Sequence, residues 1–558
     1  MKIMKMLNKS KIKAWLIAPI FLFIFAGFFT GKDDVYFQIE KSIDLFGRIY
    51  KEVTFNYVDN IDPQEFMLAG IKGMLGALDP YTIFIDGNNK EDFDLITNGK
   101  YGGVGISIGV RGDLVTVVEV FDGYSAQKQG VRVGDNLIEV GGKKITPENV
   151  NEISSLVKGA PGTIINIKEF RDNKKDTLSF NLVREEVIVK SLAYAGFYPK
   201  NSNNVYMRLT NFSRSASDEV ITALKKLKAE KEIKSVVLDL RGNPGGLLDV
   251  AVNICENFLK NHQLIVSTKG REEDSKKSYF SDQEPLLGDS RLAILIDGGS
   301  ASASEIVAGA IQDHDRGVIL GTKSFGKGLV QTITPLDFNT SLKITTAKYY
   351  TPSGRCIQKI DYANQNKAIV EVDTVVKNKF FTDNKRDVFS AGGITPDSTI
   401  PYIEEGDITK DLLAKGLFFQ FADYYYYANA KDDFYSINGQ KVFDDFRIYL
   451  NKQKYIYKSP EEEDVNKLLA LVKSKNFNNT IYGNLEKVKS EFKNIGENDL
   501  LKYQKEITDE IKIELASRYL GNDGEIEEIL SDDIQFKSAL NILNNTKIYN
   551  YLLRNNNK

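Results

Sequence analysis

The pattern of apolar and polar positions divides the chain into segments of different structural class. From about residue 32 to 88, apolar residues recur every three to four positions, which predicts helices. Asp62 and Pro63 have the character of a helix start, because an aspartate caps well and proline suits the first turn. Asp79 and Pro80 end that helix. We therefore expect an N-terminal helical segment over residues 32–88.

Residues 89–186 change to short alternating runs of β-branched residues separated by glycine turns. Such a pattern predicts strands with one face buried. We expect strands at 104–110, 114–120, 137–140 and 163–170, and a helix at 147–157. This segment is predicted to be a small β-rich module.

From residue 187 to 405, short apolar runs alternate with amphipathic stretches, which indicates an α/β core. The predicted strands are 205–209, 236–240, 292–296, 318–320 and 341–349, and the predicted helices are 216–228, 247–259 and 303–312. Residues 406–558 are rich in lysine, glutamate and asparagine and have a helical pattern. The fold class expected is a multidomain α/β protein with helical segments at both ends. The role of the C-terminal segment stays open.

The N-terminus has the pattern of an export signal or a membrane anchor. Five lysines precede an uncharged, mostly apolar run from residue 14 to about 30. The run is about 17 residues long, at the short end for crossing a bilayer. We expect residues 1–31 to be an uncleaved anchor, with a cleaved signal as the alternative. The globular part would then lie outside the cytoplasm, in the cell envelope or secreted.

Composition excludes several classes of function. The net charge of -3 and the absence of long basic runs argue against nucleic-acid binding. Only two cysteines occur, Cys255 and Cys356, so a disulfide-rich scaffold is excluded and two free thiols are expected, although a pairing stays open. The only histidines are His262 and His314, and any histidine-dependent mechanism must use one of them. No metal or cofactor is expected.

The segment Asp297–Gln312 holds the densest candidate chemistry. A buried strand ends in a Gly-Gly turn, three serines alternate with alanines, and a helix starts at once. This arrangement brings a serine hydroxyl close to free N–H groups at a helix N-terminus, which can stabilise an oxyanion. Helix capping is the simpler alternative, but a cap requires one serine and not three.

Lys327 lies between two glycines after a short apolar strand. Close backbone approach and apolar neighbours can lower a lysine pKa, so that its neutral amine acts as a general base. Two alternatives are weak. Gly321 to Lys327 matches the start of a phosphate-binding loop, but Gly328 stands where serine or threonine is needed. A Ser-His-Asp triad would need His314, which is expected at an exposed, charged helix end far from Ser302.

A third glycine segment, Asp239–Gly246, follows a buried strand and opens a helix. It has either the simple role of a tight turn or the functional role of directing an N–H of Gly245 or Gly246 toward the site.

Together, the segments 239–246, 299–312 and 325–331 resemble those of the carboxyl-terminal processing (tail-specific) peptidases. The resemblance spans about residues 36–400 and implies a crotonase-like spiral of sheet and helices over residues 187–405. It implies that Ser302 is the nucleophile, Lys327 the base and Gln331 the residue that orients the lysine. Ala303 and one of Gly245 and Gly246 would donate the oxyanion N–H groups. Tyr81 departs from the histidine of many relatives.

Residues 89–186 resemble a PDZ domain. Gly103, Val104, Gly105 and Ile106 match its carboxylate-binding loop, which would hold a peptide C-terminus while the peptide adds as a strand. The alternative is that these glycines only serve a hairpin.

The sequence thus predicts a serine endopeptidase that cleaves exported or envelope proteins near their C-termini through a Ser-Lys dyad. Its expected partners are proteins with accessible C-termini and, through the N-terminus, a membrane; the oligomeric state stays open. The competing hypothesis is a catalytically silent PDZ scaffold of the envelope.

Overall fold

The computed structural model describes residues 33–86, 99–171, 177–338, 340–360, 362, 378–475 and 478–554. The chain divides between Phe84 and Ile85 into two compact units. The predicted signal or anchor over residues 1–31 lies outside the described residues. Within the described ranges, no helix is both long enough and apolar enough to span a bilayer.

The helices follow in chain order. They are α1 (Asp33–Asn56), α2 (Pro63–Gly76), α3 (Ser125–Gln129), α4 (Val150–Val157), α5 (Ala216–Glu230), α6 (Leu248–Cys255), α7 (Ala303–Asp313), α8 (Asp407–Ala414), α9 (Leu417–Asn429), α10 (Gly439–Lys452), α11 (Pro460–Ser474), α12 (Asn479–Lys502), α13 (Gln504–Asp532), α14 (Ile534–Asn544) and α15 (Thr546–Leu552).

The strands are numbered in the same way. They are β1 (Ile83–Ile85), β2 (Lys100–Gly103), β3 (Ile106–Arg111), β4 (Leu114–Val120), β5 (Asn136–Val140), β6 (Lys143–Lys144), β7 (Ile164–Phe170), β8 (Thr177–Val183), β9 (Glu185–Ile188), β10 (Leu192–Phe197), β11 (Asn204–Leu209), β12 (Ser235–Asp239), β13 (Leu264–Gly270), β14 (Lys277–Phe280), β15 (Arg291–Ile296), β16 (Val318–Gly321), β17 (Leu329–Pro335), β18 (Ser341–Tyr350), β19 (Lys379–Phe381), β20 (Asp387–Phe389) and β21 (Ser398–Thr399).

The first unit contains the helical pair that the sequence predicts. Asp62 caps α2 by accepting the N–H of Glu65, and Pro63 occupies the first turn. Between the helices, Tyr50 stacks on Phe66 with ring centroids 5.5 Å apart. Most apolar side chains of α1 remain exposed.

The β-rich module is an antiparallel sheet in the order β3-β4-β5-β7-β8, with β6 beside β5, and a separate pair of β2 and β9. Its core includes Val117, Ile153 and Ile167, which are fully buried. The strand predicted from residue 104 begins at Ile106, because Gly105 turns the chain at φ 83°. The helix predicted over 147–157 opens with a single 3₁₀ turn before α4.

The α/β core is a sheet in the order β10-β11-β12-β15-β16-β21. In this sheet β11, β12, β15, β16 and β21 are parallel to one another, and β10 is antiparallel at the edge. Helices α5, α6 and α7 cover one face of the sheet. The other face is covered by the C-terminal part of α13 together with α14 and α15. Burial on both faces explains why the parallel strands are continuous apolar runs, as in β12, where all five residues are buried.

Helix α6 is shorter than the helix predicted over 247–259. It ends at Cys255, and the N–H groups of Phe258 and Leu259 both turn back to the Cys255 carbonyl. Strands β13, β14, β17 and β18 form a second, antiparallel set, of which only β18 is predicted from the sequence. The two cysteines are both free.

The C-terminal helices are joined by their own apolar cluster, which includes Phe418, Phe421, Phe443 and Phe446. They also contact the β-rich module. The guanidinium of Arg111, the last residue of β3, lies 5.6 Å from the ring of Phe419.

Candidate active site

Three loops meet at one edge of the α/β sheet. Strands β12, β15 and β16 are parallel neighbours, with Asp239 opposite Leu295 and Ile296 opposite Gly321. Their carboxyl ends therefore lie side by side, and the loops that follow them carry the predicted site residues. Ligands of open parallel sheets commonly bind at this edge.

Ser302 is the last residue before α7, and its backbone is strained. Its φ of 53° and ψ of -110° lie in a region that residues with a side chain rarely adopt. Strain of this kind persists only where surrounding contacts impose it, and it concentrates at functional sites. The sharp turn between strand and helix resembles the elbow that exposes a nucleophilic serine in α/β-hydrolases.

The three alternating serines have different environments. Ser300 Oγ donates to the carbonyl of Leu240 at 2.7 Å, and Ser304 Oγ donates to the carbonyl of Asn243 at 2.9 Å. Both flanking serines are fully buried, whereas Ser302 is half-buried. The outer two hydroxyls therefore bind the glycine turn, and the middle residue retains access to solvent.

The glycine turn packs directly against Ser302. A Cβ on Gly245 would lie 2.6 Å from the carbonyl oxygen of Ala301 and 2.9 Å from the N of Ala303, so only glycine fits there at its φ of 99°. The N–H of Gly245 donates to Asn243 Oδ1 at 2.9 Å. Among the described residues, no hydrogen bond uses the N–H of Ala303 or that of the exposed Gly246.

The loop that carries Lys327 is held along its backbone. The N–H of Phe325 donates to the carbonyl of Ser300 at 3.0 Å, and the N–H of Gly328 donates to Gln358 Oε1 at 2.6 Å. A Cβ on Gly326 would lie 2.8 Å from the side chain of Lys359. These N–H groups face protein acceptors, which argues against the phosphate-loop alternative for residues 321–327. Lys327 itself is half-buried.

Glu305 connects the serine turn with the lysine loop. Its fully buried carboxylate accepts the N–H of Ser302 at 2.9 Å and that of Lys327 at 2.9 Å. It also accepts the N–H of Gly326 at 2.7 Å and the hydroxyl of Ser324. Burial raises the pKa of Glu305, and these four hydrogen bonds oppose that rise.

Sequence reasoning did not identify Glu305, although a signal was present. A serine followed three residues later by a glutamate is the pattern of a capping box at a helix N-terminus. In this protein the Glu305 carboxylate accepts a hydrogen bond from the N–H of Ser302, as in a capping box, and accepts another from the N–H of Lys327 in a second loop.

Two further residues lie on the strands β17 and β18, which follow the lysine loop in the chain. Gln331 lies on β17, and its Nε2 donates to Thr345 Oγ1 of β18 at 3.2 Å. Tyr349, which was not predicted, is buried and donates its hydroxyl to the carbonyl of Ser302 at 3.2 Å. Burial raises the pKa of this tyrosine well above its ordinary value.

The expectation that His314 lies at an exposed helix end is wrong. Its side chain is only 10% exposed, because Nδ1 lies 2.8 Å from Asp383 and Nε2 lies 2.7 Å from the carbonyl of Leu264. His314 caps the C-terminal end of α7, whereas Ser302 is at the N-terminal end. Both ring nitrogens are engaged away from Ser302.

The predicted carboxylate-binding loop, residues 103–106, joins β2 to β3 and is buried. The carbonyl of Val104 accepts the N–H of Ala126 at 3.0 Å, and the carbonyl of Gly105 accepts the N–H of Phe121 at 2.9 Å. Among the hydrogen bonds of the described chain, none uses the N–H of Val104 or Gly105. The loop is thus anchored through its carbonyl groups.

Comparison with known proteins agrees with this arrangement. The pattern of peptidase family S41 matches residues 203–365, and that described as "Probable PDZ-protease, C-terminal helical domain" matches residues 408–543. The carboxy-terminal-processing protease of Bartonella bacilliformis is 39% identical over 329 residues, which cover 57% of this chain and 73% of that protein.

Two further relatives have similar coverage. The carboxy-terminal processing protease CtpB of Bacillus subtilis is 30% identical over 321 residues, or 57% of this chain and 66% of that protein. A probable CtpA-like serine protease of Staphylococcus aureus is 30% identical over 320 residues, or 57% of this chain and 63% of that protein. Because the matched region contains the three loops of the site, the chain belongs to peptidase family S41, with the carboxy-terminal processing proteases, and is a serine-type peptidase.

Proposed function

We propose that this protein is an endopeptidase that cleaves exported or envelope proteins near their C-termini, with Ser302 as nucleophile and Lys327 as general base. The observation that carries the proposal is the shared carboxylate of Glu305. Because Glu305 binds the backbone N–H of both residues, the positions of the two loops are coupled. A nucleophile and its base require this kind of fixed relation.

The chemistry proposed is amide hydrolysis through an acyl-enzyme. The neutral amine of Lys327 takes the hydroxyl proton of Ser302 as its Oγ attacks the carbonyl carbon, and the proton passes to the leaving amine. Water then hydrolyses the ester by the same route. Gln331, the third residue of β17 and the fourth residue after Lys327, would orient Lys327.

The oxyanion would be stabilised by the N–H groups of Ala303 and Gly246. Both N–H groups lack a partner among the described residues, and Ala303 opens α7, where the helix dipole favours negative charge. Gly245 is the weaker candidate, because its N–H already donates to Asn243. Gly245 would instead permit the close approach of the turn to Ser302.

Substrate recruitment is assigned to the β-rich module, acting as a PDZ domain. The N–H groups of Val104 and Gly105 would receive a terminal carboxylate, and the peptide would add as a strand beside β3. Residues 1–31 would place the enzyme outside the cytoplasm, as an anchor or a signal.

The test is hydrolysis of an unstructured protein by the purified chain and its variants. We expect Ser302→Ala and Lys327→Ala each to lose cleavage while remaining folded, and Lys323→Ala, in the same loop, to retain it. Activity should rise with pH, because a lysine acts as a base only when neutral and its ordinary pKa is about 10.4. Near wild-type cleavage by Lys327→Ala would refute the dyad.

The silent-scaffold hypothesis makes the opposite prediction. The wild-type chain would then bind peptides with a free C-terminus and release no products from any of them.

A further inference from the structure

The C-terminal helical region contacts the glycine turn of the site through an ion pair whose two side chains are 13% and 10% exposed. Nη2 of Arg241 lies 2.6 Å from Asp533 Oδ2, and Nη1 donates to Gln535 Oε1 at 2.9 Å. Arg241 follows β12 and precedes the turn that ends at Gly246. Asp533 and Gln535 lie where α13 gives way to α14.

The contact is rigid on the helical side. Asp533 Oδ1 caps α14 by accepting the N–H groups of Gln535 at 2.8 Å and Phe536 at 3.0 Å. Gln535 is 1% exposed, and its Nε2 donates to the carbonyl of Ile400 at 2.7 Å. Phe536 packs edge-on against Tyr206 of β11, with ring centroids 5.2 Å apart. The carboxylate that meets Arg241 therefore has little freedom to move.

On the side of the sheet, hydrogen bonds also hold the guanidinium of Arg241 in place. Nε of Arg241 donates to Asp239 Oδ1 at 2.9 Å, and Asp239 Oδ2 accepts the hydroxyl of Tyr206 at 2.7 Å. One guanidinium thus lies between a carboxylate of the strand and a carboxylate of the helical region. A planar guanidinium can make both contacts at fixed angles, which a lysine cannot do.

From Arg241 the turn leads directly into the oxyanion region. The N–H of Gly242 donates to Asp297 Oδ1 at 2.9 Å, and the carbonyl of Asn243 accepts both the N–H of Ala301 and the hydroxyl of Ser304. A displacement of Arg241 would therefore be transmitted to Gly246 on one side and to the serine loop on the other.

On this geometry, and resting on the proposed function, we propose that Arg241 is a positioning residue and that the C-terminal helical region, through Asp533, holds the oxyanion turn in its catalytic geometry. The region is then part of the catalytic apparatus as well as a cover for the sheet. Its ion pair acts through the turn and touches no substrate.

Asp533→Asn separates this role from helix capping. Asparagine caps a helix as well as aspartate does, so α14 keeps its N-cap, but the anion that faces Arg241 is lost. The matched control is Glu527→Gln. Glu527 also joins the helical region to the sheet, through Lys200 at 2.8 Å and Tyr194 at 3.2 Å, but at a position away from the glycine turn.

We expect Asp533→Asn to lower kcat about tenfold to a hundredfold, because oxyanion stabilisation depends on sub-ångström placement of its donors. KM should change less than twofold, and the pH at half-maximal activity should not move, because the lysine loop is untouched. Asp533→Glu should recover part of the loss. The melting temperatures of Asp533→Asn and Glu527→Gln should be similar. If the ion pair between Arg241 and Asp533 had a purely structural role, its loss would lower the melting temperature without lowering kcat per folded molecule.

Arg241→Lys is the second variant, and it tests the inference by itself if Asp533→Asn does not fold. It keeps the charge, loses the planar fork and should show the same fall in kcat. A kcat within twofold of the Glu527→Gln control in either variant would overturn the inference. Ser302→Ala is assayed in parallel. If Ser302→Ala cleaves at the wild-type rate, both the proposed function and this inference are overturned. If Ser302→Ala is inactive while Asp533→Asn and Arg241→Lys are fully active, only this inference is overturned.

Discussion

The buried carboxylate of Glu305 offers the sharpest test of how the site is held. In Glu305→Gln, one of two oxygen positions becomes an amide NH₂. The Oε2 position faces two backbone donors, the N–H groups of Ser302 and Lys327, neither of which can accept a hydrogen bond. The Oε1 position faces the N–H of Gly326 and the hydroxyl of Ser324, and a hydroxyl can reverse its role.

The amide should therefore take the Oε1 position and leave one N–H, that of Gly326, without a partner. An orphaned buried N–H costs about 1–3 kcal/mol of stability. Glu305→Ala orphans three backbone N–H groups and opens a cavity, so at least about 3 kcal/mol should be lost. Activity should follow the same order. A shift of about 1 Å in a catalytic group can cost about a hundredfold, so Ala should fall by that much or more and Gln by less.

The assay combines kcat and KM on an unstructured peptide with the free energy of unfolding in urea. Glu256→Gln is the matched control, because Glu256 is also a buried carboxylate and accepts from Asp282 and Gln283 away from the three loops. It should lose stability and keep its kcat. The reasoning is refuted if Glu305→Gln retains wild-type kcat, or if Glu305→Gln and Glu256→Gln lose kcat to the same extent.

Three further outcomes are expected. Burial, with the nearby carboxylate of Asp135, raises the pKa of Glu169 to about 9, so the folded state retains a proton that the unfolded state releases near pH 4.3. Stability should then fall as pH rises from about 5 to 9, with Glu169 contributing up to about 1.4 kcal/mol per pH unit. Urea midpoints at pH 5, 7 and 9 should show a smaller fall in Glu169→Gln than in the wild type, because burial also raises the pKa of Asp423 to about 6 and that of Glu510 to about 7. Gly245→Ala should lose cleavage because its Cβ would lie 2.6 Å from the Ala301 carbonyl oxygen, and a variant with full kcat would show that the turn has room to move. A peptide with a free C-terminus should have a kcat/KM about tenfold to a hundredfold higher than the same peptide with an amidated C-terminus, because the loop 103–106 would lose one charge-assisted contact of about 1.5–3 kcal/mol. Equal cleavage of the two peptides would show that the module does not recognise the terminal carboxylate.

Much of the architecture could be predicted from the sequence because it depends on local patterns. Period-two alternation marks β4 at the bounds that the structure has, and continuous apolar runs mark β12, β15 and β16. Strands β13, β14 and β17 were not predicted. Their residues lie in an antiparallel set whose apolar pattern is weak, and their pairing is set by distant partners such as β18.

The candidate residues Ser302 and Lys327 were also visible in the sequence, since glycine-framed turns after apolar strands are local features. What the sequence by itself determined was therefore the order of the elements, the motifs and the residue types available for chemistry. The tertiary structure alone decided how each is used. It engages Ser300 and Ser304 with backbone carbonyls and leaves Ser302 half-buried, and it occupies the N–H of Gly245.

The same holds for the contacts that join distant parts of the chain. Glu305 reads as an ordinary capping residue until the fold brings the Lys327 loop within 2.9 Å of its carboxylate. The sequence around Asp533 indicates only the cap of a C-terminal helix. The packing of α14 on the sheet also places its carboxylate 2.6 Å from the guanidinium of Arg241. Hydrogen bonds and ion pairs are short-ranged, so their partners are fixed only when the chain closes in three dimensions, and no local pattern records them.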